Sequence, residues 1–198
     1  LDLTPPRIQV LTDQHYIRQG GSEAIVYRVS EDTQASGVQV GERIFRGYPI
    51  QDSDQKTYIC LFALGHDQAA DSNMVIWAED AAGNRKDSSF WKKTFPVRFR
   101  NRNIQLSDPL IDSVLPEILA NQKEVTAQAT PLQTFLEING RLRQLNHQQI
   151  EEISRHSIGA LLWSEPFLQL SGSQVESLFA DHRTYYYQGE SVDQQTHL

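Results

Sequence analysis

The spacing of histidine, cysteine and carboxylate side chains limits the chemistry open to this sequence. Six histidines, His15, His66, His147, His156, His182 and His197, are scattered along 198 residues. No two of them fall at H-x-H or H-E-x-x-H spacing, the patterns that bring two imidazoles onto one metal ion. His147 and His156 are nine residues apart, two and a half helical turns, so they face roughly opposite sides of a helix. Cys60 is the only cysteine. It can form neither an internal disulfide nor a multi-cysteine zinc site, and its apolar, β-like setting predicts a buried structural thiol. A single thiol suits a reducing compartment and a secreted protein that avoids cysteine equally well. No G-x-S-x-G nucleophile elbow occurs, and Gly20-Gly21-Ser22 lacks the lysine and helix of a phosphate loop. The adjacent Glu151 and Glu152 point apart on a helix and read as a solvated face.

Two clusters could bind rather than react. Residues 85–102 hold Arg85, Lys86, Lys92, Lys93, Arg98, Arg100 and Arg102 against Asp87 alone, which is +6 in a chain of net charge -7. Arg98, Arg100 and Arg102 recur with period two, which places them on one face of a strand, with Val97 and Phe99 on the other. Such a strip suits an anionic wall polymer, lipid headgroups or a protein partner. It equally suits a charged edge that blocks strand-to-strand aggregation, or an internal match to acidic helices. Tyr185-Tyr186-Tyr187 offers either a sugar-binding aromatic surface, or a strand with Tyr185 and Tyr187 on one side and Tyr186 on the other.

These residues need elements to position them. The length allows one domain or two small ones with a buried core, and the 39% hydrophobic content is above that of disordered chains. Excess negative charge argues against nucleic-acid partners. No apolar run reaches the roughly 18–20 residues that span a bilayer. The start at Leu1-Asp2 has neither a basic n-region nor an apolar h-region, so a removed N-terminal segment would have to supply any membrane anchor. Alternation over 7–11 and 22–29 and runs rich in β-formers over 57–64 and 74–78, punctuated by Gly, Asp, Asn and Ser, predict short strands and a β-sandwich. Ile25, Tyr27 and Val29 share one face. After Trp77, Asp80 can accept hydrogen bonds from the backbone that follows it, and Gly83 can adopt a positive φ.

The pattern then becomes helical. Ser107-Asp108-Pro109 and Thr130-Pro131 are two helix starts, each with a capping hydroxyl and a proline in the first turn. Leu110, Ile111, Val114 and Leu115 form the first apolar face, which Pro116 is expected to break or kink. Leu132, Phe135, Leu136, Ile138, Leu142 and Leu145 form the second, with Ile150 and Ile153 continuing its stripe and Gly140 weakening it. Together they predict a helical hairpin packed on a core. Runs at 161–163, 167–170, 175–179 and 184–187 return to β character, with turns near Gly172 and Gly189.

Several stretches resemble a known family. Thr4-Pro5-Pro6-Arg7-Ile8 and the corner Ala78-Glu79-Asp80-Ala81-Ala82-Gly83-Asn84 resemble the opening and a late turn of bacterial immunoglobulin-like domains. Trp163-Ser164-Glu165-Pro166-Phe167, Ser177-Leu178-Phe179-Ala180-Asp181-His182-Arg183 and the closing Thr196-His197-Leu198 resemble the lead-in to the catalytic domain of lysostaphin-type (LytM-like) zinc endopeptidases, metallopeptidase family 23, of Gram-negative envelopes. The resemblance implies an α+β chain in three parts: an immunoglobulin-like β-sandwich over 1–102, a helical linker over 103–160, and a β segment over 161–198 leading into an absent peptidase domain. In the family a T-H-L-G-x-D stretch supplies a histidine and an aspartate to zinc, and a later H-x-H completes the chemistry, in which zinc-bound water attacks peptidoglycan cross-links. Here only His197 matches a ligand, so no catalytic residue and no cofactor is expected within these residues, and zinc is expected in the full-length enzyme. The implied role is to position or regulate that downstream domain in the periplasm or cell envelope, with the domain itself and peptidoglycan as partners. The alternative is a cell-surface binding module, or an amidase activator without peptidase activity, using Arg98, Arg100 and Arg102 or Tyr185 and Tyr187.

Overall fold

A computed structural model describes residues 2–50, 56–156, 158 and 162–197. The fold is α+β, mostly antiparallel sheet, with one short helical region and a C-terminal pair of strands. The chain divides into two compact units, residues 1–98 and 99–198. The helices and the last strands, read from sequence as 103–160 and 161–198, lie together in the second unit.

The first unit contains β1 (Ile8–Val10), β2 (His15–Arg18), β3 (Ser22–Val29), β4 (Thr33–Val40), β5 (Arg43–Arg46), β6 (Tyr48–Pro49), β7 (Thr57–Ala63), β8 (Met74–Asp80), β9 (Arg85–Ser88) and β10 (Lys92–Phe95). They form one sheet in the order β1-β3-β7-β6, another in the order β5-β4-β8-β9, and a separate parallel pair, β10-β2. The alternation read in the sequence is the pleat itself: Ile25, Tyr27 and Val29 turn inward, 0%, 0% and 5% exposed. They meet Cys60 and Phe62 of β7, and Val38, Val40, Met74, Ile76 and Ala78 of the other sheet, in one core. Burial removes the Cys60 thiolate from consideration as a nucleophile, because desolvation pushes its pKa up to about 12.

After β8, Asp80 behaves as its sequence context requires. Its Oδ1 accepts from the backbone N–H groups of Ala82 (2.8 Å) and Asn84 (2.9 Å), and its Oδ2 accepts from Asn84 Nδ2 (2.8 Å). Gly83 completes the turn at φ +83°, a conformation that costs a residue without Cβ least.

The second unit contains β11 (Asn101–Leu106), α1 (Asp108–Ala120), α2 (Pro131–Glu137), a π turn (Ile138–Leu142), α3 (Arg143–Arg155), β12 (Asp181–Tyr187) and β13 (Glu190–His197). β11 runs parallel to β12, and β12 pairs antiparallel with β13. Ser107 caps α1 by accepting from the Leu110 N–H, and Thr130 caps α2 by accepting from the Gln133 N–H (3.2 Å). Leu106, Ile111, Leu115 and Tyr185 form the buried centre, with Phe135, Ile138 and Val192 packed around it.

Three helical or strand expectations change. Pro116 does not break α1, which continues to Ala120. The ring lies on the exposed side, while Ile111 and Leu115 before it and Leu119 after it hold both halves of the helix to one core. Ile150 and Ile153 do not continue the apolar stripe: they are 64% and 67% exposed, and α3 buries no residue. The π turn at Ile138–Leu142 inserts one extra residue and so rotates the face that follows it. No strand occurs at 162–179. That segment makes no ladder, and its large apolar side chains are exposed, from 50% at Trp163 to 91% at Leu168. Leu161, which opens the first of the four predicted β runs, and Leu198 of the T-H-L stretch lie outside the described residues.

Candidate functional site

The ordered end of β13 carries the single metal-ligand match. A histidine so near the end of the sequence would be expected to fray, but His197 is held in the ladder. It pairs with Asp181, and its carbonyl accepts from the Ala180 N–H at 2.7 Å. Cross-strand partners share a sheet face, so Asp181, Arg183 and Tyr185 lie on the same side as His197, Gln195 and Asp193. Desolvation and then the cations of Arg183 and Arg143 push the His197 imidazole pKa down.

Asp181 anchors this corner. Its side chain is only 1% exposed, yet Arg100 grips it with both prongs: Nε donates to Oδ1 at 3.0 Å, and Nη2 donates to Oδ2. The Leu178 N–H adds a bond at 3.0 Å. The Arg100 hydrogen bond dominates the opposing desolvation and lowers the Asp181 pKa from 3.8 to about 2. Arg102 Nη1 donates to the Glu176 carbonyl at 2.7 Å.

The three arginines therefore do not form one strand face. Residues 96–100 are not in a strand, because Pro96 ends β10 with no N–H to donate; only Arg102 lies on a strand, β11. Arg98 belongs to the first unit and is exposed; Arg100 and Arg102 belong to the second and are tied to internal acceptors. Earlier cations of the run are also engaged. Arg85 donates to Asp87 and Gln39 and lies 5.3 Å from the Trp77 ring centroid, and Lys92 Nζ donates to the Met74 carbonyl.

The tyrosines are likewise absorbed. Tyr185 is 5% exposed within the core, its ring edge-on to Phe135 at 6.0 Å, so it offers no sugar platform. Tyr187 is half-buried and donates through its hydroxyl to Asp108 Oδ1 at 2.6 Å. The register shift between Tyr185 and Tyr186 interrupts the simple alternation read from sequence.

Sequence reading missed an open groove of about 850 Å3 between α3, the π turn and the ends of β12 and β13. Arg143 and His147 line it from the helix, His182 and Arg183 from β12, and Gln194 and Thr196 from β13. Gly140 contributes the π turn, where Asn139 Nδ2 donates to Asp193 Oδ2 at 2.6 Å. The only sequence signal was Gly140 within an otherwise helical pattern.

The donor set around His197 does not fit zinc. Asp181 is committed to Arg100, and the positive charges of Arg183 and Arg143 disfavour a further cation at the imidazole. Three ligands are needed for a catalytic zinc. Among the described residues, the one group of three potential ligand side chains is Asp2, Asp32 and Asp80 in the first unit, and the Asp80 oxygens are already bonded within their turn. Compared with protein-family models and with curated proteins, the chain has no match in either.

Proposed function

We propose that this chain is the non-catalytic N-terminal part of a peptidoglycan-directed, lysostaphin-type zinc endopeptidase of the periplasm or cell envelope. The first unit is then an immunoglobulin-like sandwich, supported by two sheets around one core and by an opening segment that pairs first with β3 and then, in parallel, with β10. The second unit positions a catalytic domain that follows Leu198. The observation that carries this assignment is the placement of the T-H-L histidine on an ordered strand, facing the same side as Asp181 and Arg183. His197 is the residue that matches the family's first zinc ligand; the groups beside it, Asp181 committed to Arg100 and the cations of Arg183 and Arg143, do not complete a site, so in this proposal every other ligand comes from outside these residues. In this proposal hydrolysis is carried out by the domain outside these residues.

A longer chain continuing past Leu198 tests this. It should hold a stoichiometric zinc ion and cleave purified peptidoglycan, and His197→Ala should remove both. A longer chain that takes up no zinc and cleaves nothing, but stimulates a cell-wall amidase, would replace the peptidase with the activator. No helix among the described residues is long and apolar enough to cross a membrane.

A further inference from the structure

We infer that the groove of the second unit binds a short peptide through a free carboxylate, with Arg143 and Arg183 as its two guanidinium anchors. This goes beyond the peptidase proposal, because it needs neither zinc nor residues outside the chain.

The two arginines are under-used. Arg143 reaches the groove from the start of α3 and Arg183 from β12. Arg143 Nη2 donates to Asn139 Oδ1 at 3.0 Å, and Arg183 Nη2 donates to Ser177 Oγ at 2.7 Å. The Nε of each is closed off from solvent without an acceptor. A guanidinium presents five N–H groups in a rigid fork matched to a carboxylate. Among the described residues neither arginine has an ion pair with Asp or Glu, in contrast to Arg100, which grips Asp181. Both arginines line the same groove.

Charge at the groove opposes charge in the unit. Residues 99–198 hold twelve acidic side chains against seven Lys and Arg, yet no Asp or Glu lines the groove. The nearby Asp193 carboxylate is taken by Asn139 Nδ2, Gln195 Nε2 and the Gln194 N–H. Among the described residues the Glu151 carboxylate pairs with His147, at 3.4 Å. An anion entering the groove therefore meets two guanidiniums that have no acidic partner among the described residues, and no lining carboxylate.

The walls select a peptide over a simple anion. Asn101, Gln144, Asn146 and Gln194 present carboxamides, which both donate to and accept from peptide groups. Ile150, 64% exposed, supplies apolar surface for a small side chain. The groove volume lies within the roughly 300–1,000 Å3 of small-ligand clefts.

Calorimetric titration of the 198-residue chain with acetyl-trialanine as the free acid, the same peptide as its amide, and inorganic phosphate tests the inference. The acid should bind about tenfold or more tightly than the amide, and binding should weaken as salt rises. Arg143→Gln and Arg183→Gln should each cost about tenfold or more, with helical circular dichroism retained. Arg143→Lys and Arg183→Lys, which keep the charge and lose the fork, guard against a misfolded glutamine variant and should also weaken binding. Equal affinity for acid and amide, no binding at millimolar peptide, or full affinity in the four variants would overturn the inference. Phosphate binding as tightly as the peptide would leave a simple anion site and overturn the peptide assignment. Zinc uptake by the longer chain is measured separately, so either proposal can fail alone.

Discussion

At Asp181 a nearly sealed carboxylate stays ionised because Arg100 holds both of its oxygens. Its pKa in the folded chain, about 2, lies below the 3.8 of the free side chain. A depressed carboxylate contributes stability that is complete above the unfolded value and is lost as pH falls through the folded one. The second unit should therefore weaken between about pH 4 and pH 2. The helices of the described residues all lie in that unit, so ellipticity at 222 nm reports it. Asp181→Asn should lower ellipticity-monitored stability at neutral pH and flatten its acid dependence over that window. An unchanged acid profile in the variant would assign the transition to other carboxylates. In the sequence Asp181 stands out only as part of a motif. Its partner, 81 residues away, could not be read from local spacing, because the parallel pairing of β11 with β12 is what brings Arg100 to it.

Elements were legible where one chemical signal dominated. The β3 pleat, the two hydroxyl-and-proline helix starts and the Asp80 turn could all be read from adjacent residues, because each is stabilised locally or by a single buried face. Apolar content alone misled at 162–179: leucine and phenylalanine allow a strand, but no neighbouring strand pairs with the segment. The phase of α3 was also illegible, since the π turn changes its face without changing its composition. Close approach between elements gives a sharper test. A Cβ at Gly37 on β4 would lie 1.9 Å from the Phe45 carbonyl oxygen on β5 and 3.1 Å from Trp77 Nε1. Gly37→Ala should thus destabilise the first unit by about 1–3 kcal/mol in chemical denaturation. Gly140→Ala, where nothing lies within 4 Å of the added carbon, should be neutral or stabilising. Equal losses for the two would show that the β4–β5 contact is not the constraint.

For the whole molecule, mixed α+β content and the order of strands, helices and strands were legible, because hydrophobic period changes from two to about 3.6 and back along the chain. The groove was not: its guanidiniums are 40 residues apart in sequence, and each looks like an ordinary surface cation until the fold places both on one groove and gives neither an acidic partner among the described residues. The two-unit division also gives the lone thiol a use. Cys60 is the chain's single sulfhydryl, it is 0% exposed, and it belongs to the first unit alone. Its modification by an aromatic disulfide reagent should wait for that unit to open, so the colour released acts as a clock for one half of the protein. Run beside helical ellipticity, which follows the other half, the clock would show in a single denaturant series whether the two halves melt in step or in turn.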